Sequence, residues 1–317
     1  MKLLIVRLSS LGDVVHSLPL AANARAAGAT VGWVVERAFA GLLEGNPNCE
    51  RVFVADTKAW RGSPFAASTW RDVARVRSEL AGFGADAALD PQGLWKSAVV
   101  ARASGAPVIG FAAAVRREPS SAALCRLRVT PSRESFHVVD QNLELLEPLG
   151  IAAAHRAPDA GYLLARPSTG AEAFVASLPL PYAVFHPGAG RADKTWSEER
   201  FAALARSLSE RRGYAPVVSW GPGDAARADR LTALVPGALR APSLDIPGLA
   251  RLAASARLFA AGDTGPLHLA DALGTPTLAL FGPTDPARNG PYRNHKGVIA
   301  DMRSISDADA LRTAESL

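Results

Sequence analysis

Asp263 and His268 bracket the small residues Thr264, Gly265 and Pro266, directly after the largely apolar run 257–261. A strand that runs into small residues and then proline opens a helix. Proline lacks an N–H and its fixed φ suits the first helical position, and threonine or glycine before it can cap. The free N–H groups and the dipole of that first turn make an anion pocket. An acid and an imidazole beside such a pocket suit a ligand that carries both phosphate and hydroxyl groups. A nucleotide sugar fits.

Other strand ends carry related chemistry. Run 182–186 ends in His186 and continues as Pro187-Gly188-Ala189-Gly190, whose backbone N–H groups can approach phosphate. No G-K-[ST] ending follows, so this is not a Walker loop. Lys194 is either a pyrophosphate partner or an ordinary exposed lysine, and Trp196 reads as packing ahead of the next helix. Asp224, after Trp220-Gly221-Pro222-Gly223, is a ribose acceptor or a helix cap. Asp285 reads as the cap of a rigid turn. Near the start, Asp13 follows the first apolar run. It is an N-capping carboxylate or a general base for a substrate hydroxyl, and Gly12 before it lets another backbone come close. The one close D-x-D pair, Asp307 and Asp309, reads as solvated surface, so a metal site is not expected. The absence of G-x-S-x-G and of G-x-G-x-x-G after the first strand weighs against a hydrolase and a dehydrogenase.

These residues need strands and helices to hold them. Apolar runs predict strands at 2–8, 31–35, 51–55, 87–89, 108–111, 182–186, 216–220, 257–261 and 277–281. Helical spacing predicts helices at 14–27, 59–81, 197–212, 225–234, 247–254, 266–273 and 306–316, with 60–64 read as a loop. The alternation implies right-handed crossovers and parallel sheets. A length of 317 residues points to two domains. Breakers are dense across 156–181. The boundaries follow as 1–165, a linker at 166–181, and 182–317, with the last helix expected to pack back on the first domain. Ligands of such sheets bind beyond the carboxyl ends of the strands.

Composition narrows the class. Hydrophobic residues make up 48% and charged residues 21%, which is ordinary for a folded protein. The net charge of +5 rests mainly on arginine. It reflects either genomic composition or an acidic partner such as phosphorylated lipid, an anionic membrane or nucleic acid. Cys49 and Cys125 form no zinc-type cluster. No run is long enough to span a bilayer, and the start reads as a buried strand instead of a signal peptide. Any membrane contact is expected to be peripheral.

Six segments, in order, carry a resemblance. They are K-L-L-I-V-R-L-S-S-L-G-D-V-V-H-S-L-P at the start, D-P-Q-G-L-W-K-S-A at 90–98, R-R-E-P at 116–119, H-P-G-A-G-R-A-D-K-T-W at 186–196, G-D-T-G-P-L-H-L-A-D-A-L-G-T-P at 262–276 and F-G-P-T-D-P at 281–286. Over nearly its whole length the chain resembles the bacterial lipopolysaccharide heptosyltransferases of glycosyltransferase family 9. The resemblance implies an α/β GT-B fold: two Rossmann-like domains with parallel sheets facing a central cleft, acceptor side first and ADP-heptose side second. It implies inverting, metal-independent transfer of L-glycero-D-manno-heptose from ADP-heptose, a co-substrate, to Kdo of the lipid A inner core, without a cofactor. Asp13 would be the general base and Lys194 would hold the diphosphate, supported by Thr264, Gly265 and His268. Asp263 would bind heptose hydroxyls, Asp224 the ribose, and His186 would belong to the donor site. Arg61, Lys96 and Arg117 would meet acceptor phosphates or carboxylates. The expected partners are ADP-heptose, Kdo-lipid A and the anionic inner-membrane surface, with no nucleic acid. The expected place is the cytoplasmic face of the inner membrane. Pro187-Gly188 departs from the small polar residues frequent in members that add the first heptose, which keeps open addition of the second. A nucleotide-sugar epimerase of the same fold and a nucleotide-binding module without turnover are the readings from other classes.

Overall fold

A computed structural model describes residues 1–168 and 170–317; Thr169, in the expected linker, lies outside the described residues. The chain forms two compact units, Met1–Pro158 and Asp159–Leu317.

The first unit holds strands β1 (Lys2–Val6), β2 (Thr30–Val35), β3 (Arg51–Val54), β4 (Ala87–Asp90), β5 (Val108–Phe111) and β6 (Leu127–Val129). Its helices are α1 (Leu11–Ala26), α2 (Ala40–Leu43), α3 (Thr57–Gly62), α4 (Ala67–Phe83), α5 (Trp95–Ala103) and α6 (Val138–Leu143). The strands form one parallel sheet in the order β3-β2-β1-β4-β5-β6. In register, Ile5 stands between Trp33 and Leu89. The sheet is apolar on both faces, because side chains alternate and helices cover each side. Leu4 and Val6 join a core with Phe53, Val76, Leu80 and Val100, while Leu3 and Ile5, pointing the other way, are also fully buried. Helix α4 stops at Gly84, whose φ of 65° lies in the left-handed region.

The second unit repeats the plan. Strands β7 (Tyr182–His186), β8 (Ala215–Val218), β9 (Leu239–Arg240), β10 (Leu258–Gly262), β11 (Thr277–Leu280) and β12 (Val298–Ile299) alternate with α7 (Ala171–Ser177), α8 (Glu198–Arg212), α9 (Ala225–Leu234), α10 (Ile246–Ala254), α11 (Gly265–Ala272), α12 (Pro286–Asn289) and α13 (Asp307–Glu315). The order β12-β11-β10-β7-β8-β9 is the winding of the first sheet seen from its other edge. Ala183 and Phe185 face a core with Phe201, Leu204 and Leu231. Tyr182 and Val184 face Leu252, Phe259 and Leu267. In each sheet the strand order reverses at one point, between β1 and β4 or between β7 and β10. Doubly wound sheets bind their ligands at the carboxyl end of that switch point.

Several sequence expectations are corrected. Residues 60–62, read as loop, belong to α3, which Asp56 caps by accepting from the Ala59 N–H at 3.3 Å. Helix α1 starts at Leu11, so Asp13 lies inside the first turn and is not the N-cap, which is Ser10. Pro266 is the second residue of α11, not the first. The short strands β6, β9 and β12 carry too few residues to leave a pattern. Residues 159–168 and 170–177 pack with the second unit. The Ala160 N–H donates to the Ala272 carbonyl at 3.3 Å, Ser168 Oγ donates to Asp245 Oδ1 at 2.5 Å, and the Arg251 guanidinium donates to the Arg166 carbonyl. The unit boundary therefore falls at Pro158, upstream of the expected 165. The last helix, α13, packs on α8 within the second unit: Ala310, Leu311 and Ala314 enter its core, and Arg200 Nε donates to Asp307 at 2.8 Å.

Candidate active site

At the switch point of the first sheet, Asp13 is the third residue of α1. Its Oδ2 accepts from the Ser10 N–H at 3.0 Å and from Ser10 Oγ at 2.7 Å. Its Oδ1 pairs with the Arg7 guanidinium. Arg7 is almost wholly enclosed, whereas Asp13 keeps 38% of its side-chain surface. Arg7 also donates from Nη1 to the Pro91 carbonyl at 2.6 Å, joining the ends of β1 and β4. Burial pushes the Asp13 carboxyl up, but the Arg7 charge and the Ser10 donors outweigh it and leave the carboxyl below its usual range. Asp13 is thus an ionised, partly exposed carboxylate fixed at both oxygens.

A second layer fixes the turn that presents it. Gln92 Oε1 accepts from the Leu8 N–H at 2.9 Å, and its Nε2 lies 3.4 Å from Ser9 Oγ. Lys96 Nζ donates to Ser9 Oγ at 2.8 Å and to Glu36 Oε1 at 2.9 Å, and Thr57 Oγ1 donates to that same Glu36 oxygen at 2.5 Å. Lys96 therefore sits beside the Asp13 turn and ties the ends of β1, β2 and β4 together. Arg61 and Arg117 are exposed and outside this network; Arg61 Nε donates to the Thr57 carbonyl in its own helix. Arg116, the neighbour of Arg117, is the anchored arginine. Fully enclosed, it donates to Asp90 Oδ2 at 3.0 Å, Ser121 Oγ at 2.9 Å, Cys125 Sγ at 2.8 Å and the Phe111 carbonyl at 2.6 Å. Asp90 Oδ1 in turn accepts from the N–H groups of Gln92 and Gly93. Cys125 and Cys49 are both free thiols.

The second switch point gathers Lys194, Asp263 and His268. Lys194 Nζ donates to Asp263 Oδ2 at 2.6 Å, and His268 Nε2 lies 3.1 Å from Asp263 Oδ1. Burial raises the Asp263 carboxyl, but His268 and Lys194 together hold it far below the usual range. Thr264 caps α11, its Oγ1 accepting from the Leu267 N–H at 3.5 Å. Gly262 is what lets the 191–194 turn close on β10, since a Cβ there would lie 2.4 Å from the Lys194 carbonyl oxygen. Asp224 leans on the turn after β7, where a Cβ on Gly188 would come within 2.1 Å of its Oδ2. Although Asp224 precedes α9, its side chain makes no capping bond. Burial raises its pKa in spite of Arg227, and the carboxylate is open to donors from elsewhere. His186 is set apart. Its imidazole is buried, meets Ser219 Oγ at 3.0 Å and stacks near Phe259, and burial lowers its pKa to about 4. What His186 gives the rim is the backbone that leads into 187–190.

Both switch points thus carry one kind of arrangement: a carboxylate at a helix start, crossed by a basic side chain. The second adds a glycine-rich turn beside its helix N-terminus, donors suited to a diphosphate. Residues 73–313 match the model of the glycosyltransferase family 9 (heptosyltransferase) domain. The chain belongs to glycosyltransferase family 9. It is 35% identical to lipopolysaccharide heptosyltransferase 1 of Pseudomonas aeruginosa over 92% of this chain and 81% of that one. To lipopolysaccharide heptosyltransferase 1 of Escherichia coli K12 it is 33% identical, over 96% and 94%. The solved structure of Escherichia coli heptosyltransferase WaaC with ADP aligns at a TM-score of 0.82 and 29% identity, over 100% of this chain and 99% of that one. The fold is GT-B, and this family 9 protein is a glycosyltransferase of the heptosyltransferase kind.

Sequence reasoning missed Arg7, Ser10, Glu36, Gln92 and the Asp90–Arg116 pair. One signal was available: Arg7 ends a buried apolar strand, and a charge in such a place needs a partner.

Proposed function

We propose that this heptosyltransferase moves L-glycero-D-manno-heptose from ADP-heptose onto a Kdo sugar of the lipid A inner core, with inversion and without a metal. The observation that carries the reading is the ionised carboxylate of Asp13, partly exposed at a switch point and held in place by Arg7 and Ser10. The acceptor hydroxyl gives its proton to Asp13 as its oxygen bonds to the anomeric carbon. The bond from that carbon to the β-phosphate oxygen breaks, and its electrons leave with ADP. Lys194 and the N–H groups at the start of α11 meet the charge that gathers on the departing diphosphate, so fixed dipoles act where charge develops. Asp263, kept ionised, accepts from heptose hydroxyls, and Asp224 from the ribose. Lys96, Arg61 and Arg117 meet the anionic groups of the acceptor. Inversion asks for the proton acceptor and the leaving group on opposite faces of one carbon, and for water to be kept out.

The relatives support the donor and acceptor class. They are named lipopolysaccharide heptosyltransferase 1 and align over nine-tenths of the chain, and the aligned structure holds ADP. No helix among the described residues is long and apolar enough to cross a membrane. A lipid-linked acceptor then calls for peripheral binding at the cytoplasmic face of the inner membrane. The test is a donor-by-acceptor assay read by product mass. ADP-heptose should add one heptose to an acceptor that ends in Kdo. Turnover only on an acceptor that already bears one heptose would assign the second addition, and ADP release without any acceptor product would point to an epimerase-like reaction.

A further inference from the structure

No residue from 58 to 75 is buried. This stretch leaves the carboxyl end of β3, the same end of the sheet that carries Asp13, and contains α3 and the first half of α4. The inner face of α4 begins only at Val76 and continues through Leu80 and Phe83. Trp60 rests partly against the core beneath, and the rest of the stretch, from 61 to 71, lies on the outside of the unit with no buried residue.

Its composition is unlike ordinary solvated surface. Residues 58–71 read K-A-W-R-G-S-P-F-A-A-S-T-W-R, with three cations, three aromatic rings and no acid. Phe65 is 95% exposed and Trp70 is 63% exposed. Phe65 precedes the N-cap Ala66, and Trp70 is the fourth residue of α4. These are the positions whose side chains commonly close on each other as a hydrophobic staple. With Phe65 almost fully in solvent, the pair hides little of its apolar area. The nearby acids are already engaged. Asp72 accepts from Trp60 Nε1 at 2.7 Å and from Arg75, and Glu79 accepts from Arg75. Lys58, Arg61 and Arg71 enter no ion pair among the described residues and are all exposed.

We infer that residues 58–71 dock on an anionic lipid surface, with Phe65 and Trp70 as apolar anchors and Lys58, Arg61 and Arg71 as the cations around them. Aromatic rings settle at the depth of lipid headgroups, and cations beside them gain from anionic lipid. Exposed rings ringed by uncompensated cations match that layered solvent. The inference names the surface through which the proposed lipid-linked acceptor is approached, and it rests on that reading only for its purpose.

The test uses the full chain and vesicles that contain no acceptor, made of phosphatidylethanolamine with phosphatidylglycerol or of phosphatidylcholine alone. The chain should float with the phosphatidylglycerol vesicles at low salt, less at high salt, and not with phosphatidylcholine. Phe65→Ser with Trp70→Ser should weaken partition by roughly tenfold or more for each ring, and Lys58→Gln with Arg71→Gln by roughly fivefold per cation. The Phe65/Trp70 variant should keep wild-type turnover on a deacylated, water-soluble Kdo acceptor and lose it on acceptor embedded in vesicles, which also shows that it folds. Wild-type chain that ignores anionic vesicles overturns the inference, as does an aromatic variant that floats like wild type. Self-association, or binding to single-stranded RNA, that the aromatic changes abolish while vesicle binding is absent gives the patch to another occupant and also overturns it. Vesicle binding without transfer to any Kdo acceptor leaves this inference standing and removes the proposed function. Transfer to soluble acceptor without vesicle binding does the reverse.

Discussion

Arg7 and Asp13 form an ion pair that links the residue just after the buried strand β1 to the first turn of the following helix, α1. The guanidinium is almost enclosed and the carboxylate partly open, so the pair is rigid on one side and reachable on the other. Arg7 lowers the pKa of Asp13, so in the proposed mechanism, where Asp13 takes the acceptor proton, the pair sets the acid limb of activity. Replacing Arg7 with Gln removes that charge while keeping hydrogen-bond donors. The Asp13 pKa should rise, and the acid limb of the kcat/KM profile should move to higher pH. Arg7→Lys should restore the limb toward wild type. A profile that Arg7→Gln leaves in place would separate Arg7 from the reacting carboxylate.

Lys194 spans the second switch point to Asp263 at 2.6 Å. If it shares its charge with the donor diphosphate, Lys194→Ala should weaken ADP binding by about 2 kcal/mol, roughly 30-fold. Titration calorimetry with ADP measures this directly. Affinity equal to that of wild type would leave Lys194 with a structural role only.

Gly188→Ala tests Asp224 without touching it. The new methyl would sit 2.1 Å from Oδ2, so the carboxylate must swing away. ADP affinity should fall, by an amount close to that of Asp224→Ala, and the double variant should lose little more, because coupled neighbours are not additive. Full additivity would mean that the two residues act independently.

His186 makes stability depend on pH. Its folded pKa is about 4, against an ordinary value of 6.5. Between those values the unfolded chain binds the proton and the folded chain does not, so stability falls as pH drops below 6.5 and the loss levels off near 4. The size is at most about 3 kcal/mol, from 1.36 kcal/mol per pKa unit. Melting temperatures of wild type and His186→Asn across pH 8 to 4 should converge as pH falls. Parallel curves would show that this imidazole does not govern the slope.

Much of this was legible in the sequence because it rests on local chemistry. The central strands announce themselves as apolar runs, since both of their faces are covered. Asp13 and Asp263 fall just after strand ends, where small residues and a cap mark the turn, and Lys194 follows the glycines of the loop after β7. What the sequence hid is what distant segments do to one another. Arg7 reads as the end of a strand until Pro91 and Asp13 are seen around it. Arg116 and Arg117 are indistinguishable as neighbours, yet one lies inside against Asp90 and the other faces solvent. The prolines and glycines of 156–181 suggested a linker, but Ser168 and Glu172 find partners on α10: Ser168 bonds Asp245 and Glu172 meets Arg251. The short edge strands β9 and β12, two residues each, exist only through pairing with a neighbour.

In the proposed reaction everything depends on the carboxylate of Asp13 as the group that takes the acceptor proton. The most direct test of that role is Asp13→Asn, a nearly isosteric change that removes the base and keeps one of the two acceptor oxygens. Heptose transfer from ADP-heptose to a Kdo acceptor is followed by product mass and anomeric configuration, with ADP affinity measured in parallel. Wild type should give an inverted product, and Asp13→Asn should fall by roughly 100- to 10,000-fold with ADP affinity unchanged. Turnover of Asp13→Asn near the wild-type rate, or a wild-type product of retained configuration, would contradict it.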